Sequence, residues 1–219
     1  NITADVDLTE TTGNEVVAAV TANILPEILK KYDSISYSLE GEQQEQGDNL
    51  KSIGKNFLLA MIVVYILLAI PFNSYFQPLV VMSSIPFGLT GAVIGHLLLG
   101  LNFSVLSMMG IVALTGVVVN DSLVMVDFIN RYRSEGNTIE DAVLEAGPRR
   151  FRPIFLTSLT TFVGLVPLLL EKSTQAQFMI PMAVSLAFGV VFATVITLLL
   201  VPVSYLILEK YILKTERVV

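Results

Sequence analysis

The chain has 219 residues, of which 53% are hydrophobic and only 15% charged. Its mean hydropathy of +0.71 comes from several apolar runs long enough to cross ~30 Å of hydrocarbon at about 1.5 Å per helical residue, which excludes a water-soluble domain with one core. A net charge of -6 without a basic patch excludes nucleic acid as a partner, and the absence of cysteine excludes disulfide and thiol chemistry.

The first residue is Asn1 rather than Met and no signal segment opens the chain, so a fragment of a longer protein is expected. Residues 1–50 hold ten of the nineteen acids and only two lysines, Lys30 and Lys31, and belong in water. There NITADVDL alternates as a strand does. Thr12 and Asn14 are candidate caps for an amphipathic helix, EVVAAVTANILPEILKKY, with Val16, Val20, Ile24 and Ile28 on one stripe, and SISYSLEG reads as a second strand. Strand, helix and strand make a βαβ-like unit too small to bury its own core, so it should complete a larger domain. The fold class is therefore a polytopic α-helical membrane protein, with five transmembrane helices preceded by a small extracytoplasmic α/β piece.

The five spans are expected at about 51–71, 76–99, 103–129, 153–170 and 176–208. The first begins in the polar LKSIGKN stretch and ends at Pro71. The second contains Pro78 and Pro86, tolerable where neighbouring helices satisfy the freed carbonyls. The third is interrupted by Asn120, Asp121 and Asp127, the fourth is opened by Pro153, and the fifth is longer than one crossing needs. Five crossings put the ends on opposite sides. Arg131, Arg133, Arg149, Arg150 and Arg152 between spans three and four, with Lys210, Lys214 and Arg217 in the tail, assign that side to the cytoplasm. Within the cytoplasmic loop 131–152, NTIEDAVLEAGP reads as a short surface helix capped by Asn137 or Thr138 and ended by Gly147.

An Asp near a span centre costs at least ~2.5 kcal/mol, so Asp121, about five residues from the middle of span three, requires a reason. It either binds and releases protons or hydrogen-bonds a neighbouring helix for packing. Asn120 and Asp127 share a face with Ala113 and Gly116, a small and polar stripe suited to another helix; Asp121 points about 100° away. Asp127 lies near the interface and could simply be solvated. On span four Thr157 and Thr161 share a face while Ser158 and Thr160 point elsewhere, and Arg150 either snorkels or feeds protons to the span-three carboxylate. His96, the single histidine, reads as an interfacial residue, and the scattered methionines, with only Met108 and Met109 adjacent, make no soft-metal path.

The segment GIVALTGVVVNDSLVMVDF, the pattern Glu145, Ala146, Arg150, Arg152 and Pro153, the Thr-Ser-Leu that follows, and the closing Val201, Pro202 and Val203 resemble the resistance-nodulation-division (RND) efflux permeases. Under this resemblance, residues 1–50 are the close of the last periplasmic porter subdomain and the spans are the eighth to twelfth helices of a twelve-helix permease. It implies a trimeric bacterial inner-membrane pump that exchanges protons for amphiphilic substrates and docks with a periplasmic adaptor and an outer-membrane channel. It also implies a proton relay. The tenth-helix lysine of many exporters, which pairs with two fourth-helix aspartates, matches Asn120, so that charge is missing here. Asp121 stands where those exporters have asparagine, and Arg150 and Thr157 match the eleventh-helix arginine and threonine linked to proton coupling.

The expected relay residues are thus Asp121, Asn120, Arg150 and Thr157, with Asp127 as a possible member. The partners expected are membrane lipid, the remaining N-terminal half of the permease, two further copies in a homotrimer, the adaptor and the channel; no cofactor, metal or enzymatic activity is expected. Alternatives are heavy-metal efflux within the same superfamily and a membrane scaffold or assembly subunit.

Overall fold

The structure is a computed structural model that describes residues 13–32 and 42–213. The chain divides into two units, Asn1–Ser52 and Ile53–Val219.

In the first unit the amphipathic helix is present in three pieces. These are α1 (Gly13–Ala19), a π-turn over Val20–Ile24 and α2 (Leu25–Lys31). Pro26 causes the interruption: it has no N–H for the carbonyl one turn earlier, and a wider turn absorbs the mismatch. The extra residue rotates the apolar face. Ile24 and Ile28, expected on the stripe, are exposed, and Thr21, Leu25 and Leu29 take the half-buried positions. Asn14 lies inside α1 rather than capping it. The two expected strands and Thr12 lie outside the described residues, and among the described residues no strand occurs.

The second unit is helical. Five helical segments are long and apolar enough to cross a membrane: Asn49–Phe72, Gln77–Leu99, Val105–Ser134, Ile139–Leu169 and Gln175–Tyr211. The first is the later part of α3 (Glu42–Phe72), which includes Pro71 and is closed by Asn73 in the left-handed region at φ 47°. Leu58, Leu59, Ile62, Leu67 and Ile70 on α3 are exposed, as suits a helix bathed in hydrocarbon.

Span two is not one helix. It breaks at Ser83–Ser84 into α4 (Gln77–Met82) and α5 (Ile85–Leu99), because Pro86 can neither donate to Met82 nor fit its ring into the preceding turn. At the break the Ser83 and Ser84 hydroxyls donate to the carbonyls of Val80 and Val81, each at 2.7 Å. Gly100, at φ 64°, ends α5, with the Leu101 amide reaching back to the His96 carbonyl.

The third span is α6 (Val105–Ser134), started by a reciprocal cap between Ser104 and Ser107. The fourth is α7 (Ile139–Leu169), and it corrects the expectation of a separate loop helix. Thr138 does cap it, accepting from the Asp141 amide at 3.2 Å, but the helix continues through Gly147, Pro148 and Pro153 into the span. The carbonyls that these prolines leave free, those of Leu144 and Arg149, belong to exposed residues. On the other face a four-residue repeat of inward residues, Ala142, Ala146, Arg150, Ile154 and Ser158, runs unbroken across the segment.

The last span, α8 (Thr174–Ile207), continues as a π-turn over Leu208–Leu213 and is the central helix, packed by α5, α6 and α7. Small residues permit the close approach: a side chain at Gly110 would strike the Met182 carbonyl, and one at Gly91 would stand 2.5 Å from the Phe192 Cβ.

The buried residues of α6, α7 and α8 are layered. Leu114 and Val118 of α6 with Val190 and Ala193 of α8 form one apolar cluster. Met125, Val126 and Ile129 of α6, Ile154 of α7, and Val201 and Tyr205 of α8 belong to another. Between them along α6 and α8 come buried polar residues, Asp121 and Ser122 on α6 and Thr194 and Thr197 on α8, and Ser158 follows Ile154 one turn on along α7.

Candidate functional site

Asp121 is only 4% exposed and occupies this middle layer. Its carboxylate has the Ser158 hydroxyl of α7 within interaction range. Ser158 in turn shares a short hydrogen bond with the Thr194 hydroxyl of α8 and can also donate to the Ile154 carbonyl at 3.1 Å. The Thr194 hydroxyl donates to the Val190 carbonyl at 2.7 Å. One residue on, Ser122 donates to the Val118 carbonyl at 2.9 Å and meets Ser84, at the break of span two, at 2.7 Å. Two hydroxyl pairs thus tie α7 to α8 and α6 to the α4–α5 junction, with the Asp121 carboxylate in the same layer.

The other expected relay residues are not gathered at this point. Asn120 is exposed, on a stripe with exposed Ala113 and Gly116, and a side chain at Gly116 would meet nothing among the described residues. Thr157 is also exposed and donates to the Pro153 carbonyl of its own helix at 2.9 Å. Arg150 sits on the inward stripe of α7, its guanidinium 5.0 Å from the Phe128 ring centroid and its Nε without a hydrogen-bond partner among the described residues. That placement is a cation against an aromatic face rather than a side chain reaching out to water. Asp127 is half-buried and paired with Arg131 at 3.0 Å, one turn along α6.

Two polar groups that flank the layers were not assembled from sequence. At the end of the bundle carrying the arginines, fully buried Tyr205 donates to Asn130 Oδ1 at 2.6 Å and accepts from Gln77 Nε2 at 3.2 Å. Asn130 Nδ2 donates to Gln77 Oε1 at 2.8 Å, and Arg133 pairs with Glu209. At the opposite end His96 is 3% exposed, which overturns the interfacial reading. Its Nδ1 is 2.9 Å from the Ala92 carbonyl and must carry hydrogen, and its Nε2 shares a hydrogen bond with the Ser107 hydroxyl at 2.8 Å. Both ring nitrogens are engaged, and among the described residues no group of three metal-binding side chains occurs.

The sequence carried faint signals for Ser158 and Thr194. Ser158 falls four residues after Ile154 on the α7 stripe, and Thr194 and Thr197 are hydroxyls three apart in a span without a single charge from Thr174 to Tyr205.

Long apolar helices around a polar middle layer define a polytopic helical membrane protein. The family model described as AcrB/AcrD/AcrF matches residues 2–209, and the chain belongs to that family, in agreement with the RND resemblance of its motifs. It is 32% identical over 208 residues to the swarming motility protein SwrC of Bacillus subtilis (strain 168), covering 94% of this chain and 20% of that protein. It is 36% identical over 154 residues to the multidrug resistance protein MdtC of Erwinia tasmaniensis, covering 70% of this chain and 15% of that one. Two crystal forms of a heavy metal efflux pump share the fold. Form II has a TM-score of 0.74 at 20% identity over 91% of this chain and 20% of that one. Form I has 0.69 at 24% identity over 86% and 19%. The chain spans about a fifth or less of the length of these proteins.

Proposed function

We propose that this chain acts with the remaining spans of an RND permease as part of a proton-driven pump in the bacterial inner membrane that exports amphiphilic compounds. Asp121, Asn120, Arg150 and Thr157 are this part's share of the relay. The observation that carries the reading is the division of α6 into two polar faces. Asp121 is a carboxylate enclosed at mid-span, which nothing but a proton or a hydrogen bond can satisfy there. Asn120, with Ala113 and Gly116, forms an exposed small-residue stripe of the kind that another transmembrane helix covers. The fourth-helix aspartates implied by the family belong against that stripe, because transporter sites form between repeats. Thr157 is exposed on α7, free to meet a helix of the remaining half, and Arg150 on the inward stripe of the same helix is stacked on Phe128.

In the same reading residues 1–50 close a periplasmic porter subdomain, the arginine-bearing end of the bundle is cytoplasmic, and the pump is a homotrimer working with an adaptor and an outer-membrane channel. The Met108 and Met109 side chains are exposed and Met125 is buried in an apolar cluster, so the methionines do not favour metal as the cargo.

The test is dye efflux driven by an imposed pH gradient in liposomes holding the full permease. Asp121→Asn should abolish or strongly reduce gradient-dependent efflux while leaving insertion and assembly intact, and Asn120→Ala should have a milder effect. Normal pumping by Asp121→Asn together with failure of Asp127→Asn would move the relay to the Asn120 face.

A further inference from the structure

We propose that Arg149 and Arg152, on the outer face of α7, hold the phosphate of an anionic glycerophospholipid whose acyl chains lie along Leu156, Leu159 and Val163. The site uses no relay residue and stands whether or not the relay does.

The sequence of α7 sets the depth of the site. Between Arg152 and Glu171 come eighteen consecutive residues without a charge, which at ~1.5 Å per residue span about 27 Å, close to the ~30 Å of bilayer hydrocarbon. Arg152 therefore stands at the edge of the hydrocarbon, and Arg149, nearly a turn further out, at the level of the headgroups. Steps of three and four residues put Arg149, Arg152, Leu156, Leu159 and Val163 on one stripe, opposite the inward face of Ala146, Ile154 and Ser158. All five are exposed. The stripe thus passes from two cations to an apolar track in the direction in which a phospholipid passes from headgroup to chain.

Both guanidiniums have donors to spare. Arg149 is held in place, its Nε donating to Glu145 Oε2 at 2.8 Å and its guanidinium 5.5 Å from the Tyr132 ring centroid. A guanidinium fixed in this way keeps its terminal N–H groups for a second acceptor, and a phosphate matches their fork. Arg152 has no acidic partner among the described residues. At this end of the bundle Arg131 is paired with Asp127, Arg133 with Glu209 and Lys210 with Glu140, and the acid nearest to Arg152 before it on α7, Glu145, is taken by Arg149. The stripe is left with a net positive charge at the depth of the lipid phosphates, which favours an anionic lipid over a zwitterionic one, whose own ammonium already balances its phosphate. Lipid also fits the stripe better than another helix does. Helices of this bundle meet through small residues, as Gly91 and Gly110 meet α8, whereas this face presents arginine, leucine and valine.

The experiment places photoreactive benzoylphenylalanine at Leu156 of the full permease, reconstituted in phosphatidylcholine vesicles that contain either radiolabelled phosphatidylglycerol or, in a parallel sample, radiolabelled phosphatidylcholine. Irradiation should attach phosphatidylglycerol several-fold more often than its share of the bilayer predicts, and phosphatidylcholine no more often than its share. Arg152→Gln should lower the phosphatidylglycerol yield about fivefold, the equivalent of the ~1 kcal/mol that a basic residue gains beside anionic lipid. Arg149→Gln should lower it as well. Arg131→Gln, which removes an exposed arginine already paired with Asp127, should leave it unchanged. Excess inorganic phosphate should not compete, because the acyl chains share in holding the lipid. The proposal is overturned if the two lipids label in proportion to their abundance, if Arg152→Gln has no effect, or if Arg131→Gln acts as strongly. It is equally overturned if inorganic phosphate abolishes the labelling, which would assign the arginines to a soluble anion, or if the probe attaches to another part of the permease, which would mean that a helix covers the stripe. Should Arg152→Gln fail to insert, Arg149→Gln decides the matter.

Discussion

Tyr205→Phe is the cleanest probe of what holds the arginine-bearing end of the bundle together. It deletes one oxygen from a fully buried ring and changes no shape. That oxygen donates to Asn130 Oδ1 at 2.6 Å, accepts from Gln77 Nε2 at 3.2 Å, and is approached by Arg133 Nη1 at 3.5 Å, the limit of a hydrogen bond. Two good bonds are lost. At the ~0.6 kcal/mol average for side-chain bonds within membrane bundles, the loss is about 1.2 kcal/mol, or roughly eightfold in the unfolding equilibrium. A larger penalty is not expected, because neither partner is orphaned. Asn130 Oδ1 still accepts from Gln77 Nε2 at 3.2 Å, and Arg133 keeps Glu209. Reversible unfolding from mixed micelles into dodecyl sulfate, followed by circular dichroism, measures the difference, with Tyr211→Phe at an exposed position as the control. A Tyr205→Phe value indistinguishable from the control would mean that the network is ornamental. A loss above ~3 kcal/mol would mean that its members act as one unit and that bond-by-bond reasoning fails here.

Three further outcomes are expected. Gly91→Ala should destabilise the bundle by about 1 to 3 kcal/mol in the same unfolding assay, because the new Cβ would sit 2.5 Å from Phe192 Cβ and 2.8 Å from the Phe188 carbonyl, and helix backbones cannot yield as a flexible side chain can. In this cysteine-free chain a cysteine at Ser134 should react with impermeant maleimide only after access to the cytoplasmic side, and one at Ser173 from the outside; equal labelling from one side would refute the five-span topology. In the turn after α7 the amides of Ser173 and Lys172 donate to the Glu171 carboxylate, each at 3.0 Å, and hold its pKa below the ordinary glutamate value. A depressed pKa stabilises the turn above the unfolded-state value and ceases to do so as pH falls through the folded-state value. Carboxyl NMR should show Glu171 titrating below its ordinary value, a shift reduced when Ser173 is replaced by proline, which leaves only the Lys172 amide donating.

The five spans were legible because an apolar run of about twenty residues matches the thickness of a bilayer and exceeds what a soluble core commonly buries in one helix. The interruptions were not, since they depend on competition between local rules and neighbours. Gly147, Pro148 and Pro153 have the look of stop signals, yet the repeat from Ala142 to Ser158 buries one face against the bundle and carries the helix past all three. Pro86 reads as tolerable and instead splits span two, with Ser83 and Ser84 placed to take the carbonyls. Before Pro26 a π-turn shifts the face by one residue and exposes Ile24 and Ile28. At the site, the cost of a carboxylate singles out Asp121 from sequence alone. Its surroundings were hidden, because Ser158 and Thr194 lie on two other helices and bond i-4 carbonyls as unremarkable serines and threonines do. The family pattern places Asn120 and Asp121 in one relay, and adjacent residues on a helix cannot share a face.

The position of the polar layer also has an electrical meaning. Asp121 lies sixteen residues from the start of α6 and thirteen from its end, near the middle of the segment across which a membrane potential falls. A proton that reaches it from either surface has crossed about half of that potential, and at ~2.3 kcal/mol per charge per 100 mV the crossing is worth about 1 kcal/mol for each 100 mV. Under the proposed relay, the occupancy of this carboxyl is set by voltage as well as by pH, and a cell that collapses one gradient while keeping the other still biases it.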